Sequence, residues 1–75
     1  MNELAIFMKK KRTEEAKTQV SYANEIGITN ITLSKIENGE MIGSNTIRKL
    51  SKFYKIDTRD IRNLMEMEVE NENNE

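Results

Sequence analysis

The sequence predicts an all-α fold of five short helices, and three observations predict it. Two brief helical patterns, residues 19–26 and 30–38, meet across Gly27 and Ile28, each preceded by a threonine suited to cap it. Residues 3–15 and 44–54 carry apolar side chains at helical spacing. Asp57 opens a last pattern that runs through Ile61 and Leu64. Against these stands one strand-like stretch, the strict alternation Met65-Glu66-Met67-Glu68-Val69-Glu70.

The first helix, over residues 3–15, turns Leu4, Ala5 and Met8 inward and leads Lys9, Lys10 and Lys11 outward. A basic run of this kind is ordinarily a solvated helix end; Lys10 is its candidate phosphate contact. Thr18 is the expected N-cap of the second helix. That leaves Gln19 at an end rich in free amides, where helix dipole and N–H groups together favour a phosphate. Tyr22, Ala23 and Ile26 face inward.

The third helix is capped by Thr29 and ended by Gly39, which tolerates the left-handed conformation that commonly closes a helix. At about 100° per residue, Thr32, Leu33, Ile36 and Glu37 fall on one side. Asn30, Ile31, Ser34, Lys35 and Asn38 fall on the other. This outer side offers amide, hydroxyl, ammonium and one bare aliphatic group, a set that matches the edges of base pairs. A capped amphipathic helix with a polar face is also what an ordinary surface helix looks like. The preceding helix separates the two readings: two short helices joined by a glycine turn, the second polar outside, make a helix-turn-helix.

After Gly39, Glu40-Met41-Ile42-Gly43 forms a loop in which Met41 and Ile42 either cover the core or join a subunit contact. Ser44 is expected to cap the fourth helix, where Ile47, Leu50, Ser51, Phe53 and Tyr54 gather on one arc opposite Arg48, Lys49 and Lys52. That stripe is most simply core. Asp57 starts the fifth helix, with Asp60 at capping-box spacing and Ile56, Ile61 and Leu64 inward. The apolar group Ile61, Leu64 and Met65 persists past the point where a single small core is complete, which marks it as a dimer contact. The domain is therefore expected to span residues 1–64, followed by an acidic tail, residues 65–75, that either contacts a partner subunit or has no fixed structure. Nothing in the pattern supplies a strand partner for its alternation.

Composition narrows the function. The chain has no Cys and no His, which removes thiol catalysis, His general-base chemistry and the usual zinc sites. No apolar run approaches the ~20 residues of a membrane span and no signal-peptide pattern is present, so the expected location is cytoplasmic. The formal charge of -1 hides a partition: residues 1–62 hold all twelve bases against eight acids, a net of +4, and the last thirteen residues hold five Glu and no base. A basic globule with an acidic tail is compatible with nucleic acid. The carboxylates lie scattered on polar faces, without a phosphate loop, a nucleophile–base pair or a metal cluster. No enzyme, cofactor or metal is expected.

The residues Thr18-Gln19, Tyr22-Ala23, Ile26-Gly27-Ile28-Thr29, Leu33, Ile36-Glu37, Gly39, Thr46-Ile47, Leu50-Ser51, Tyr54 and Ile56 resemble the Cro and lambda-repressor-like helix-turn-helix family. The resemblance covers residues 4 to about 64. It implies a five-helix domain that binds double-stranded operator DNA, with Gln19 on the phosphate backbone and a structural ion pair between Arg12 and Glu37 that fixes the third helix relative to the first. Three departures stand out: Lys17 where the family usually has an apolar residue, Tyr22 for a usual Leu, and a loop from 40 to 44 that is one residue short and lacks the common Pro.

The functional expectation is a homodimeric, sequence-specific DNA-binding repressor of the phage or plasmid type. Asn30, Ile31, Ser34 and Lys35 would read bases, while Gln19, Thr29, Asn38 and Lys10 would contact phosphates. The chain is nearly all DNA-binding domain, so control would come from its concentration, from a regulatory protein partner or from competition at the operator. The alternative is a protein-interaction module, such as an antitoxin or an antagonist of another regulator, with the tail as binding segment.

Overall fold

In the computed structural model, which describes residues 1–69, each of the first four helices ends in the same way. These are α1 (Glu3–Glu14), α2 (Gln19–Ile26), α3 (Asn30–Glu37) and α4 (Ser44–Tyr54); α5 (Thr58–Glu66) completes the five. A left-handed residue follows each of the four: Ala16, Gly27, Gly39 and Lys55. The next amide then donates back five residues, Lys17 to Arg12, Ile28 to Ala23, Glu40 to Lys35 and Ile56 to Ser51, at 3.0–3.1 Å. This closure satisfies carbonyls the helix itself leaves open, and favours an apolar residue at the donating position. Ile28 and Ile56 fill that position and pack on the core. Lys17 does so differently: its ammonium lies 5.9 Å from the centre of the Tyr22 ring and pairs with Glu15 and Glu25. The long stem covers apolar surface while the charge stays wet.

The helix starts are local chemistry. Thr18 Oγ1 accepts from the Ser21 amide, Thr29 Oγ1 from Thr32 and Asp57 Oδ1 from Arg59. Helix α4 departs from expectation. Its N-cap is Gly43, with no side-chain cap, because the Ile47 amide already donates to the Gly43 carbonyl. Ser44 is thus the first helical residue, and its hydroxyl instead accepts from Arg62 Nη2 at 3.3 Å.

Every helix contributes to one core: Leu4 and Met8 from α1, Tyr22, Ala23 and Ile26 from α2, Leu33 and Ile36 from α3, Ile47 and Leu50 from α4, and Ile61 and Met65 from α5. Tyr22, 1 % exposed, takes the place of the usual Leu because Tyr54 satisfies its hydroxyl, O to O 2.9 Å. Phe53 meets the Tyr22 ring edge-on. Ile42 packs on this core while Met41 stays exposed.

Two expectations about the C-terminal region are corrected. Ile61 and Met65 are not a surface reserved for a second subunit: both are buried within one chain, where they close the floor beneath α1 and α4, and Leu64 packs half-buried beside them. The alternating stretch is not strand-like throughout: Met65 and Glu66 finish α5, and residues 67–69 pair with the N-terminal residues of the same chain. The Glu3 amide donates to the Met67 carbonyl at 2.8 Å and the Val69 amide to the Met1 carbonyl at 2.9 Å, with Asn2 and Glu68 paired antiparallel between them. Packing therefore runs through residue 69, past the expected boundary at 64. The expectations for residues 70–75 of the tail lie outside the described residues.

Candidate nucleic-acid interface

Helix α3 is built as a rigid bearer of an exposed polar arc. Its inner side, Leu33, Ile36 and Glu37, is buried; on its outer side Asn30, Ile31, Lys35 and Asn38 are exposed and Ser34 half-buried. All five residues assigned to the outer arc thus share one side of one helix. Ile31, 65 % exposed, is a large aliphatic group that the fold does not use. Thr29 is exposed at the head of the helix, but its hydroxyl is committed within the turn, accepting from the Thr32 amide and donating to Thr32 Oγ1 at 3.0 Å.

Glu37, 5 % exposed, anchors the last turn. Arg12 grips it with two prongs, Nε to Oε2 at 2.8 Å and Nη2 to Oε1 at 3.0 Å, and its third nitrogen donates to the Lys17 carbonyl at 3.0 Å. This fork is the bidentate arrangement that Arg provides and Lys does not. Burial pushes the Glu37 carboxyl upward, but hydrogen bonds from Arg12 and Gln19 and the Arg12 charge outweigh it and hold the group below its ordinary value. The Arg12 guanidinium is correspondingly raised, chiefly by its hydrogen bond to Glu37. The expected ion pair is present, and it ties α3 to α1.

Gln19 joins the same cluster. Its Nε2 donates to Glu37 Oε1 at 3.0 Å, so one amide hydrogen is spent inside while the half-buried side chain keeps its position at the head of α2. The candidate phosphate contact is thereby held by the same carboxylate that anchors α3. Lys10 is exposed on α1.

Sequence reasoning missed a second basic element. Residues 1–43 hold six bases and six acids, whereas residues 44–62 hold six and two, so the whole +4 lies in α4, α5 and the turn between them. Arg48 Nη2 hydrogen-bonds Asn45 Oδ1 and Arg62 reaches Ser44, which sets two guanidinium groups beside the uncapped first turn of α4. Free amides plus adjacent cations make an anion-attracting end. The signal was present in the distribution of charge. Val20 was also passed over: it is exposed on the first turn of α2 beside Gln19.

Among the described residues no helix is long and apolar enough to cross a membrane, and no group of three or more His, Cys, Asp or Glu could hold a metal ion. Comparison with protein-family models matches residues 8–61, well over half of the chain, to the helix-turn-helix model HTH_3. No curated protein and no solved structure matches.

Proposed function

Because the chain belongs to the HTH_3 helix-turn-helix family of DNA-binding transcription regulators, we propose that it is a sequence-specific repressor that binds operator DNA as a homodimer. The observation that carries the reading is the outer arc of α3, polar and exposed on a helix whose last turn is clamped by the Arg12–Glu37 fork. A reading element must hold its side chains in register with base edges, and the fork supplies that rigidity without using the outer arc.

Asn30 has an amide that can donate to and accept from adenine N7 and N6, and Lys35 can reach guanine O6 or N7. Ile31 offers an apolar contact to a thymine methyl, and Ser34 a hydroxyl to either kind of base. Gln19, Asn38, Lys10 and the amides headed by Thr29 would position the domain on phosphates, joined by Arg48, Arg62 and the first turn of α4. An eight-residue helix is about 12 Å long and spans only a few base pairs. Two copies related by two-fold symmetry, reading half-sites about 34 Å apart, give the length of site that specificity requires. Repression follows from occupying the promoter, as in the phage- and plasmid-type regulators that the sequence resembles.

The test is selection of bound sequences from random duplex DNA by the wild type, Asn30→Ala and Lys35→Ala. An inverted repeat is expected for the wild type, with each variant losing preference at one position per half-site, a change of about 1 to 3 kcal/mol. Unaltered preferences in both variants would remove α3 from the reading role, and no enrichment by the wild type would remove the proposal itself.

A further inference from the structure

We infer that Asn2 is a positioning residue for α3, held in place by residues 67–69. This rests on the reading of α3 as the base-reading helix. Asn2 is 4 % exposed, and it and Glu37 are the two buried polar residues of the described chain. Its Oδ1 accepts from the Ala5 amide at 2.9 Å, which caps α1, while its Nδ2 donates to the Gly39 carbonyl at 3.3 Å. The two bonds have different requirements. Ser, Thr and Asp cap a helix about as well, but only Asn carries an acceptor and a donor on one short planar group. The choice of Asn is therefore explained by the tether to Gly39 and not by the cap.

The tether meets α3 where it matters. Gly39 directly follows Asn38, the last residue of the outer arc, and lies two residues after Glu37. The closing turn of α3 is thus held to α1 twice, by Arg12 through a side chain and by Asn2 through a main-chain carbonyl. The backbone of residues 1 and 2 also packs on the glycine: a Cβ added to Gly39 would sit 3.7 Å from Met1 Cα and 3.8 Å from the Asn2 nitrogen.

Asn2 does not depend on its two side-chain bonds alone for this pose. The antiparallel pairing to residues 67–69 holds it, with bonds on both sides, Glu3 to Met67 and Val69 to Met1. Residues far apart in sequence thus act in series, the C-terminal segment ordering the N-terminus and the N-terminus ordering the end of α3. Free energy spent in opening the pairing appears as lost order in α3, and the coupling is reciprocal.

The test uses the full chain with Asn2→Ser, which keeps a cap acceptor but is too short to reach Gly39, and Val69→Pro, which removes the amide that bonds Met1. The first readout needs no DNA. Amide exchange at Gly39 and Glu40, which close α3, is expected to quicken about three- to tenfold in both variants, with rates in α2 and α4 unchanged. The second readout is affinity for the selected duplex with every variant fully folded by circular dichroism. It is expected to fall about three- to tenfold with the salt slope unchanged, since no phosphate contact is removed. The double variant is expected to be no worse than the weaker single, because the two act in series. Wild-type exchange at Gly39 and Glu40 in Asn2→Ser would overturn the tether. Faster exchange with unaltered affinity would overturn the positioning role. A wild type that binds no duplex would instead defeat the proposed function, with the exchange data still deciding the tether.

Discussion

Replacing Glu37 by Gln keeps the size and shape of the side chain and removes one charge from beneath α3. In the wild type that carboxylate accepts three hydrogen bonds, two from Arg12 at 2.8 and 3.0 Å and one from Gln19 at 3.0 Å. In the variant an NH2 group replaces one acceptor and faces a donor, so Arg12 keeps its charge with the Lys17 carbonyl, water and at most one neutral amide oxygen in place of the two-pronged carboxylate. Breaking a buried pair costs about 3–5 kcal/mol; because the Arg12 side chain is partly exposed, the lower end applies, about 3 kcal/mol. For a domain of this size that corresponds to a fall in Tm of about 12–24 °C.

The effect should also carry a pH signature. The folded Glu37 pKa lies below its ordinary value of 4.5, so its contribution is fully present above that value and is lost as pH falls through the folded pKa. The gap between wild type and Glu37→Gln should therefore be widest near neutral pH and close in acid. Thermal and urea melts followed by circular dichroism across this range measure both. A second variant, Arg12→Met with Glu37→Leu, should recover much of the loss, since an apolar pair of similar volume leaves no orphaned charge. A loss below about 0.5 kcal/mol near neutral pH, within the range of ordinary surface changes, or a gap that does not narrow in acid, would refute the assignment of Glu37 as the anchor of α3.

The hydroxyl pair Tyr22–Tyr54 should show non-additivity: Tyr22→Phe and Tyr54→Phe each cost about 1 kcal/mol in urea melts, and the double variant less than the sum, because each single change leaves the other hydroxyl without its partner. Burial raises both phenols, and Tyr54 most, so tyrosinate absorbance should develop only above the ordinary value of 10. Lys55→Gly should stabilise the domain by about 0.5–1 kcal/mol, read as a higher urea midpoint with an unchanged m-value, because Lys55 holds φ at +59° where a Cβ is strained. A lowered midpoint would show that the Lys55 side chain contributes more than its backbone costs. With about 4 to 6 phosphates neutralised per dimer, log affinity for duplex DNA should fall against log salt with a slope of about -4 to -5, and a slope near zero would exclude phosphate anchoring.

What the sequence by itself determined is whatever a residue does to its own neighbourhood. Thr18, Thr29 and Asp57 cap their helices through side chains that reach backbone two or three residues on, so a short window contains the whole interaction. Gly27 and Gly39 announce the left-handed turns they occupy, because only glycine does so without strain. The two sides of α3 followed from periodicity alone, and the Arg12–Glu37 pair from resemblance to a family.

Only the tertiary structure decided the rest. Ala16 and Lys55 adopt the same left-handed turn as the two glycines, although neither residue favours it; the packing of the helices they join imposes it. Periodicity identified Ile61, Leu64 and Met65 as apolar but could not say what covers them, and the covering surface turned out to be α1 and α4 of the same chain. Ser44 read as a cap because of its hydroxyl, whereas the first turn of α4 is set by the Gly43 carbonyl, a difference of one residue that composition does not register. The alternation at residues 65–70 was visible as a strand pattern, yet Met65 and Glu66 are the end of α5, and residues 67–69 find their partner at residues 1–3. Backbone pairing is defined by its partner, and a partner so distant in sequence is a property of the fold that brings the two segments together.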